Sequence, residues 1–298
     1  MTWRRLQPAE SRLVSTRREL LKSAAMLAAG RTLFAGPGEI HLGCQTNAWP
    51  INAQDFANVL AIIRKIKDYG YEGFETGFAN VQAQFDHAAD ARRQIEAIGA
   101  RFYGVHIFLL QYDPATHVAP PELYERVAQG GAKLGAERLI LSGTPPPDDA
   151  GRKRKADALN RAGDFAAKLG MTLAYHTHGP ETEHNYAELE FLLKETDPAK
   201  VGILFDAGHA FEVGSEVPSF IRRHHARLAG LHLRDYKSGD QVPLGQGGFP
   251  LQAVVDVLRQ TGWSGWVLNE EERLTYKPGD SAVKPARDAL FRAFGRKI

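Results

Sequence analysis

The sequence predicts an α/β protein of the (β/α)8 TIM barrel class, and three observations lead to this prediction. From residue 39 onward, short apolar runs end in polar residues, and each is followed by about 12–15 residues with helical periodicity. This alternation occurs eight times within about 260 residues, which is the usual size of a closed barrel. A doubly wound open sheet is the competing architecture, but no glycine-rich phosphate-binding motif follows the first strand.

Eight segments are predicted as strands, and several have the continuous apolar character of parallel strands covered on both faces. In chain order they are 40–47, 73–78, 101–108, 138–143, 172–178, 201–208, 228–235 and 265–271. Helices are predicted between them, for example over 156–169, where apolar residues recur on one face. The basic run 152–155 before this helix is interpreted as a solvated helix start.

The first 38 residues differ from the rest and are predicted to form an export leader. Arg17 and Arg18 precede two leucines and a mildly apolar Ala/Leu/Met segment, which resembles a twin-arginine signal. This predicts an exported, periplasmic protein with one barrel domain over 39–298. An amphipathic N-terminal helix and a cytoplasmic location are the alternative.

Charge and composition exclude several classes of protein. Residues 1–38 carry a net charge of +5 against +2 for the whole chain, so the remainder carries −3, which argues against a nucleic-acid partner. A single cysteine, Cys44, excludes a disulfide framework and a multi-cysteine zinc site. No apolar run reaches the ~18 residues of a membrane span. A homo-oligomer is compatible with this composition.

Acids and imidazoles follow the predicted strands at the end where such barrels have their active sites. They include Glu75, His106, His176, His178, Glu181, Asp206, His209, His232, Arg234, Glu270 and Glu272. Carboxylates packed in a partly dry mouth repel one another, and a divalent cation is a common way to stabilise them. Asp206 is therefore interpreted as a metal ligand, although a strand-end Asp is also a common helix N-cap and a lone His a common core residue.

Five stretches at these strand ends resemble the xylose isomerase-like barrel superfamily. Within it they are similar to the sugar phosphate isomerase/epimerase group, which includes inosose dehydratases and ketose 3-epimerases. The stretches are TLAYHTHGPE (172–181), LFDAGHA (204–210), GLHLRDY (230–236), PLGQGGFPL (243–251) and GWSGWVLNEEE (262–272). The resemblance covers about residues 40–275.

The resemblance implies one divalent metal ion held by Glu, Asp, His and Glu of strands five to eight. The matching residues are Glu181, Asp206, His232 and Glu270, with His176 as the alternative ligand on strand five. Arg234 stands where the family usually has Lys, and Gln246 interrupts its usual Gly-Glu-Gly. Three carboxylates and one imidazole suit Mn²⁺, Co²⁺ or Mg²⁺, with Zn²⁺ also possible.

The expected activity is isomerisation or epimerisation of a sugar or keto-sugar by proton removal beside a metal-polarised carbonyl. The candidate bases are Glu181, Glu270, His178 and His209. The residues expected to contact this carbohydrate substrate are Trp49, Asn47, Glu75, His106, His176, Arg234 and Glu272.

Three other activities are compatible with the sequence. Dehydration of a keto-inositol or keto-sugar would use the same site. An apurinic endonuclease-like hydrolase would need three metals and a basic DNA track, which the net charge of −3 after the leader does not favour. A non-catalytic exported sugar-binding barrel is the third, because His176 stands where many members of the resembling family carry Glu.

Overall fold

Eight parallel strands form a closed barrel in the computed structural model, which describes residues 38–272 and 277–298. In chain order the strands are β1 (Ile40–Gln45), β2 (Gly73–Gly77), β3 (Arg101–Ile107), β4 (Arg138–Ser142), β5 (Thr172–His176), β6 (Val201–Asp206), β7 (Leu228–Leu233), β8 (Asp235–Lys237), β9 (Asp240–Val242) and β10 (Gly265–Asn269). β8 and β9 form a separate antiparallel hairpin, and β10 closes the barrel against β1. The predicted (β/α)8 barrel is confirmed, whereas the predicted leader lies outside the described residues, Gly38 excepted, and stays a prediction.

Helices connect the strands and pack their apolar faces against the barrel. They are α1 (Phe56–Asp68), α2 (Ala88–Glu96), α3 (Pro121–Leu134), α4 (Asp149–Lys168), α5 (Gly179–Glu195), α6 (Ala207–Glu212), α7 (Val217–His224), α8 (Leu251–Thr261) and α9 (Asp280–Phe294). In α1, for example, the Asp55 carboxylate caps the first turn, and Val59, Ile63 and Ile66 are buried. α5 is interrupted after its first turn, where three consecutive residues from His184 have positive φ.

None of the helices among the described residues has the length and apolar character that crossing a bilayer requires.

The helix predicted over 156–169 begins earlier, at Asp149, because Asp148 accepts the N–H of Gly151 at 2.6 Å and caps it. The basic run 152–155 therefore lies inside α4, and its interpretation as a solvated helix start is wrong for Lys155. This side chain is fully buried. Its ammonium donates to Glu188 of α5 at 2.8 Å and to the carbonyl of Thr144 at 3.1 Å. It also stands 4.6 Å from the centre of the Tyr175 ring.

The Asp280 carboxylate at the start of α9 connects this helix to α1 and to the segment between β1 and α1. It accepts a hydrogen bond from the indole N–H of Trp49 at 2.8 Å and two from the Lys65 ammonium at 3.1 Å. Burial alone would raise the pKa of Asp280, but the hydrogen bonds from Trp49 and Lys65 lower it below its ordinary value. The contact therefore favours the ionised carboxylate.

Asp280→Asn is expected to reduce the loss of stability in acid. A carboxyl whose pKa is lower in the folded state contributes stability above its unfolded pKa, and this stability is lost as pH falls through the folded pKa. The Tm difference between wild type and Asp280→Asn should therefore be larger at pH 7 than at pH 3 by circular dichroism. Asp256→Asn, at a half-exposed position on α8, is the control. A difference independent of pH would contradict the expectation.

Candidate metal centre

Four buried side chains converge at the carboxyl end of the barrel strands. His176 and Asp206 end β5 and β6, His232 lies on β7, and Glu270 follows β10. One ligand atom of each lies within 4.8 Å of those of the other three. His176 Nε2 is 3.0 Å from His232 Nδ1, 3.6 Å from Asp206 Oδ2 and 3.9 Å from Glu270 Oε2. His232 Nδ1 also contacts Glu270 Oε2. These four atoms are close enough to share one ion.

Asp206 is both a helix cap and a member of this cluster, because its two oxygens face different partners. Oδ1 accepts the N–H of His209 at 2.8 Å and caps α6, while Oδ2 faces His176. The backbone N–H of Asp206 donates to Thr177 Oγ1 at 3.0 Å, which fixes the end of the strand. The two interpretations of this residue from the sequence are therefore compatible.

Two oxygens of the cluster have the character expected of cation ligands. Asp206 Oδ2 and Glu270 Oε2 are buried and accept no well-directed hydrogen bond from the described residues. Arg234 Nη2 lies 2.9 Å from the first oxygen and 2.6 Å from the second, so the guanidinium places a positive charge beside both carboxylates. Burial opposes ionisation, but Arg234 lowers the pKa of both carboxyls, and His232 also lowers that of Glu270. Two ionised oxygens and two imidazole nitrogens directed at one point fit a divalent cation.

The ligand set from the sequence needs one correction, because the structure does not bring Glu181 to the cluster. Glu181 lies in the first turn of α5, where Oε1 accepts from the Tyr175 hydroxyl at 2.6 Å and Oε2 from the N–H of His178 at 3.2 Å. Tyr175 points out of the barrel and His176 into it, as the alternation of a strand requires. His176, the alternative on strand five, occupies the fourth place. The role of Glu181 as a candidate base stays a prediction, and both of its oxygens already accept hydrogen bonds in this position.

Of the three consecutive acids after β10, Glu270 alone joins the cluster. Glu271 accepts from Leu244 N–H at 3.1 Å and from the Asn269 amide at 2.8 Å, and burial raises its pKa to about 8. Glu272 is partly exposed, with Oε1 3.8 Å from Arg234 Nη1. Arg234 itself is buried against the carboxylates of the cluster, and its contact with substrate stays a prediction.

Two histidines lie at the mouth beside the cluster. His209 Nε2 is 3.9 Å from Asp206 Oδ2, and its Nδ1 is 3.2 Å from Glu212 Oε2 and 3.4 Å from the Tyr236 hydroxyl. The His178 ring lies 4.7 Å from that of His176 and 5.2 Å from that of His209. Burial lowers the pKa of His178 well below its ordinary value, which keeps the ring neutral. The sequence reasoning missed Glu212, although its spacing of three residues from His209 on one helix is a usable signal.

Several residues expected to contact substrate are instead hydrogen-bonded within the protein. Glu75 and His106 are fully buried behind the cluster, where Glu75 Oε1 accepts from His106 Nδ1 at 2.8 Å. Burial opposes ionisation, but His232 and His106 lower the pKa of Glu75 to about 2. Asn47 donates to Glu270 Oε1 at 3.2 Å, and the indole N–H of Trp49 is bound by the α9 carboxylate. Glu75 and His106 therefore support the cluster from below.

A single carboxylate shapes the loop 243–249, which contains Gln246. Asp235 Oδ1 accepts the N–H groups of Tyr236 and Phe249 at 2.8 and 2.7 Å. Its Oδ2 accepts those of Gly245 and Gly247 at 3.0 and 2.9 Å. A Cβ on Gly247 would lie 2.3 Å from Asp235 Oδ1, so this close approach requires glycine. The loop is held through its backbone, whatever side chain stands at 246.

The family of the chain can be established from its sequence. A family model for xylose isomerase-like TIM barrels matches residues 63–292. The chain belongs to this family. Among relatives of this xylose isomerase-like barrel, an inosose dehydratase of Geobacillus thermodenitrificans is 31% identical over 136 residues, which are 39% of this chain and 46% of that protein. The match thus spans about half the length of such curated relatives.

Solved structures share the fold of this xylose isomerase-like barrel. An L-ribulose 3-epimerase superposes with a TM-score of 0.69 at 16% identity, over 86% of this chain and 96% of that one. A 3-keto-D-glucoside 4-epimerase from E. coli superposes with a TM-score of 0.66 at 18% identity, over 86% and 100% of the two chains. At these identities the superpositions establish the architecture and leave the activity to be argued from the site.

Proposed function

We propose that this protein is a divalent-metal-dependent isomerase or epimerase acting on a sugar or keto-sugar. The observation that carries the proposal is the convergence of His176, Asp206, His232 and Glu270, with two buried carboxylate oxygens directed at their common centre. A cation bound there would act as a Lewis acid on a substrate carbonyl and favour loss of the neighbouring proton. The family and its epimerase neighbours are consistent with this chemistry.

The donor set decides which cations fit best. The sequence predicted three carboxylates and one imidazole, but His176 in place of Glu181 leaves two of each. Imidazole nitrogens suit Zn²⁺ and Co²⁺ better than Mn²⁺, and Mg²⁺ prefers oxygen ligands. We therefore place Zn²⁺ and Co²⁺ first, Mn²⁺ next and Mg²⁺ last.

His209 is the base that the geometry favours. The Glu212 carboxylate accepts from Nδ1–H at 3.2 Å, which leaves the lone pair on Nε2 directed toward the cluster. When Nε2 takes a proton from the carbon beside the carbonyl, the same carboxylate stabilises the imidazolium. His178 has a buried Nδ1 without a hydrogen-bond partner among the described residues, so its neutral ring can hydrogen-bond a substrate hydroxyl.

Dehydration is a second candidate, supported by the inosose dehydratases among the relatives. It would begin with the same proton removal, after which a hydroxyl leaves from the next carbon. His178, whose ring lies 5.2 Å from that of His209, can hydrogen-bond that hydroxyl, and the proton that His209 has taken would leave with it as water. The two reactions differ only in the fate of the proton and the hydroxyl.

The test is incubation of the purified protein with keto-sugars and keto-inositols in D₂O after its metal content has been measured. We expect about one divalent cation per chain and deuterium at the carbon beside the carbonyl, detected by NMR. Loss of water from the product would select dehydration. His209→Gln should retain the cation and lose the exchange.

Two results would contradict the proposal. Bound cation without exchange across a broad panel would favour a sugar-binding protein without turnover. About three cations per chain would favour the endonuclease-like activity, although one four-residue cluster is found among the described residues.

A further inference from the structure

A closed ring of polar contacts runs through the two imidazoles of the candidate metal centre and three buried side chains behind them. Glu75 Oε1 contacts His106 Nδ1 at 2.8 Å, and His106 Nε2 contacts Ser142 Oγ at 2.8 Å. Ser142 Oγ is 3.4 Å from His176 Nδ1, and His176 Nε2 is 3.0 Å from His232 Nδ1. His232 Nε2 closes the ring on Glu75 Oε2 at 2.7 Å. All five side chains are buried, so solvent does not complete any of these contacts.

The direction of each hydrogen bond follows from the one carboxylate in the ring. An ionised carboxylate only accepts, so His106 Nδ1 and His232 Nε2 must both carry protons. A neutral His106 that donates from Nδ1 can only accept at Nε2, and it therefore takes the hydroxyl proton of Ser142. The Ser142 oxygen is then an acceptor for His176 Nδ1–H.

The nitrogens that face the centre are the ones that the ring of contacts leaves without a donor role. His232 donates from Nε2, so Nδ1 carries the lone pair in the neutral ring. Burial opposes protonation, but Glu75 and Glu270 raise the pKa of His232 well above its ordinary value, so without a cation Nδ1 can hold a proton against Glu270 Oε2. His176 donates from Nδ1, so its Nε2 carries the lone pair. These two nitrogens lie 3.0 Å apart beside Asp206 and Glu270. Two lone pairs at that distance repel one another unless a cation or a proton lies between them.

We propose that Glu75 is a positioning residue that sets the tautomers of both imidazoles of the cluster. It acts on His232 directly and on His176 through His106 and Ser142. The relay matters in this chain because its strand-five ligand is an imidazole, which has two alternative donor nitrogens, whereas a carboxylate has no tautomer to select. The effect of Glu75 on cation binding rests on the proposed function, whereas the assignment of the tautomers does not.

The test is ¹⁵N NMR of the full chain labelled at its histidines, with and without Zn²⁺. We expect protons on Nε2 of His232 and on Nδ1 of His106 and His176 in both samples. Zn²⁺ should shift only Nδ1 of His232 and Nε2 of His176. An unprotonated Nε2 in His232 or an unprotonated Nδ1 in His176 would overturn the proposal.

Variants separate the two branches of the ring. Glu75→Gln presents one acceptor and one donor, so one of its two imidazole partners must change tautomer, and Zn²⁺ affinity by calorimetry should fall 10–100-fold. Ser142→Ala should alter His176 alone, and Ser142→Thr should restore it. Thr76→Val is the control, because Thr76 is buried on the same strand but bonds Thr46 and Asn80 outside the ring.

The outcomes distinguish this proposal from the proposed function. Failure of the wild type to bind Zn²⁺ would remove the proposed metal-dependent activity, while the tautomers would still be read in the ion-free sample. Zn²⁺ binding with unchanged imidazole signals in both Glu75→Gln and Ser142→Ala would remove the positioning role and leave the activity standing.

Discussion

Asp206→Asn is expected to abolish cation binding and to lower kcat/KM by about 10³-fold or more. Lewis-acid activation contributes several kcal/mol, and each 1.4 kcal/mol corresponds to a factor of ten in rate. The substitution is selective, because Asn is as good an N-cap as Asp and still accepts the N–H of His209. The oxygen replaced by an amide is the one that faces His176 and also pairs with Arg234 Nη2 at 2.9 Å.

Titration calorimetry with Mn²⁺ and the thermal shift on adding Mn²⁺ measure the effect. A cation at 100 times its Kd stabilises a protein by about 2.7 kcal/mol, which raises Tm by about 5–10 °C. Wild type should show this shift and Asp206→Asn should not. The matched control is Asp197→Asn, since Asp197 also accepts a backbone N–H, from Ala199 at 2.9 Å, at an exposed position. Wild-type affinity in Asp206→Asn would refute the metal centre.

Lys155→Met is expected to destabilise the barrel by about 3–5 kcal/mol, because it leaves the Glu188 carboxylate buried without its closest cation. Arg152 remains 3.0 Å from the other oxygen of Glu188, so we expect a destabilisation toward the lower end of this range. Chemical denaturation measures the change, and Tm should fall by about 10 °C. Lys153→Met, two residues earlier on the exposed side of the same helix, should leave Tm nearly unchanged.

The double variant Lys155→Met/Glu188→Leu checks the cause. When both charges are replaced by apolar side chains of similar size, the desolvation penalty of the pair disappears, and much of the lost stability should return. A double variant less stable than Lys155→Met alone would show that Glu188 stabilises the fold without Lys155.

All eight barrel strands could be predicted from the sequence, because several are continuous apolar runs buried on both faces and all alternate regularly with helical segments. They end one or two residues earlier than predicted, where the chain turns into the next loop. The burial of Lys155 could not be predicted, since it depends on Glu188, 33 residues away on the neighbouring helix. A run of four basic residues does not indicate which of them has a buried acidic partner.

The site residues whose positions depend only on where the strands end could be predicted from the sequence. Asp206, His232 and Glu270 meet as the sequence indicated, because strand register aligns the ends of β6, β7 and β10. Glu181 and His176 could not be separated, since their choice depends on which side of β5 faces the barrel axis. Glu75 and His106 were placed against the substrate because a pattern cannot show that two polar side chains satisfy each other.

The loop held by Asp235 has an evolutionary consequence. The loop is held by the Asp235 side chain, which accepts hydrogen bonds from main-chain N–H groups of the loop. Substitutions at the exposed position 246 therefore need not disturb the course of the loop. A lineage can vary this side chain while it retains Asp235 and Gly247.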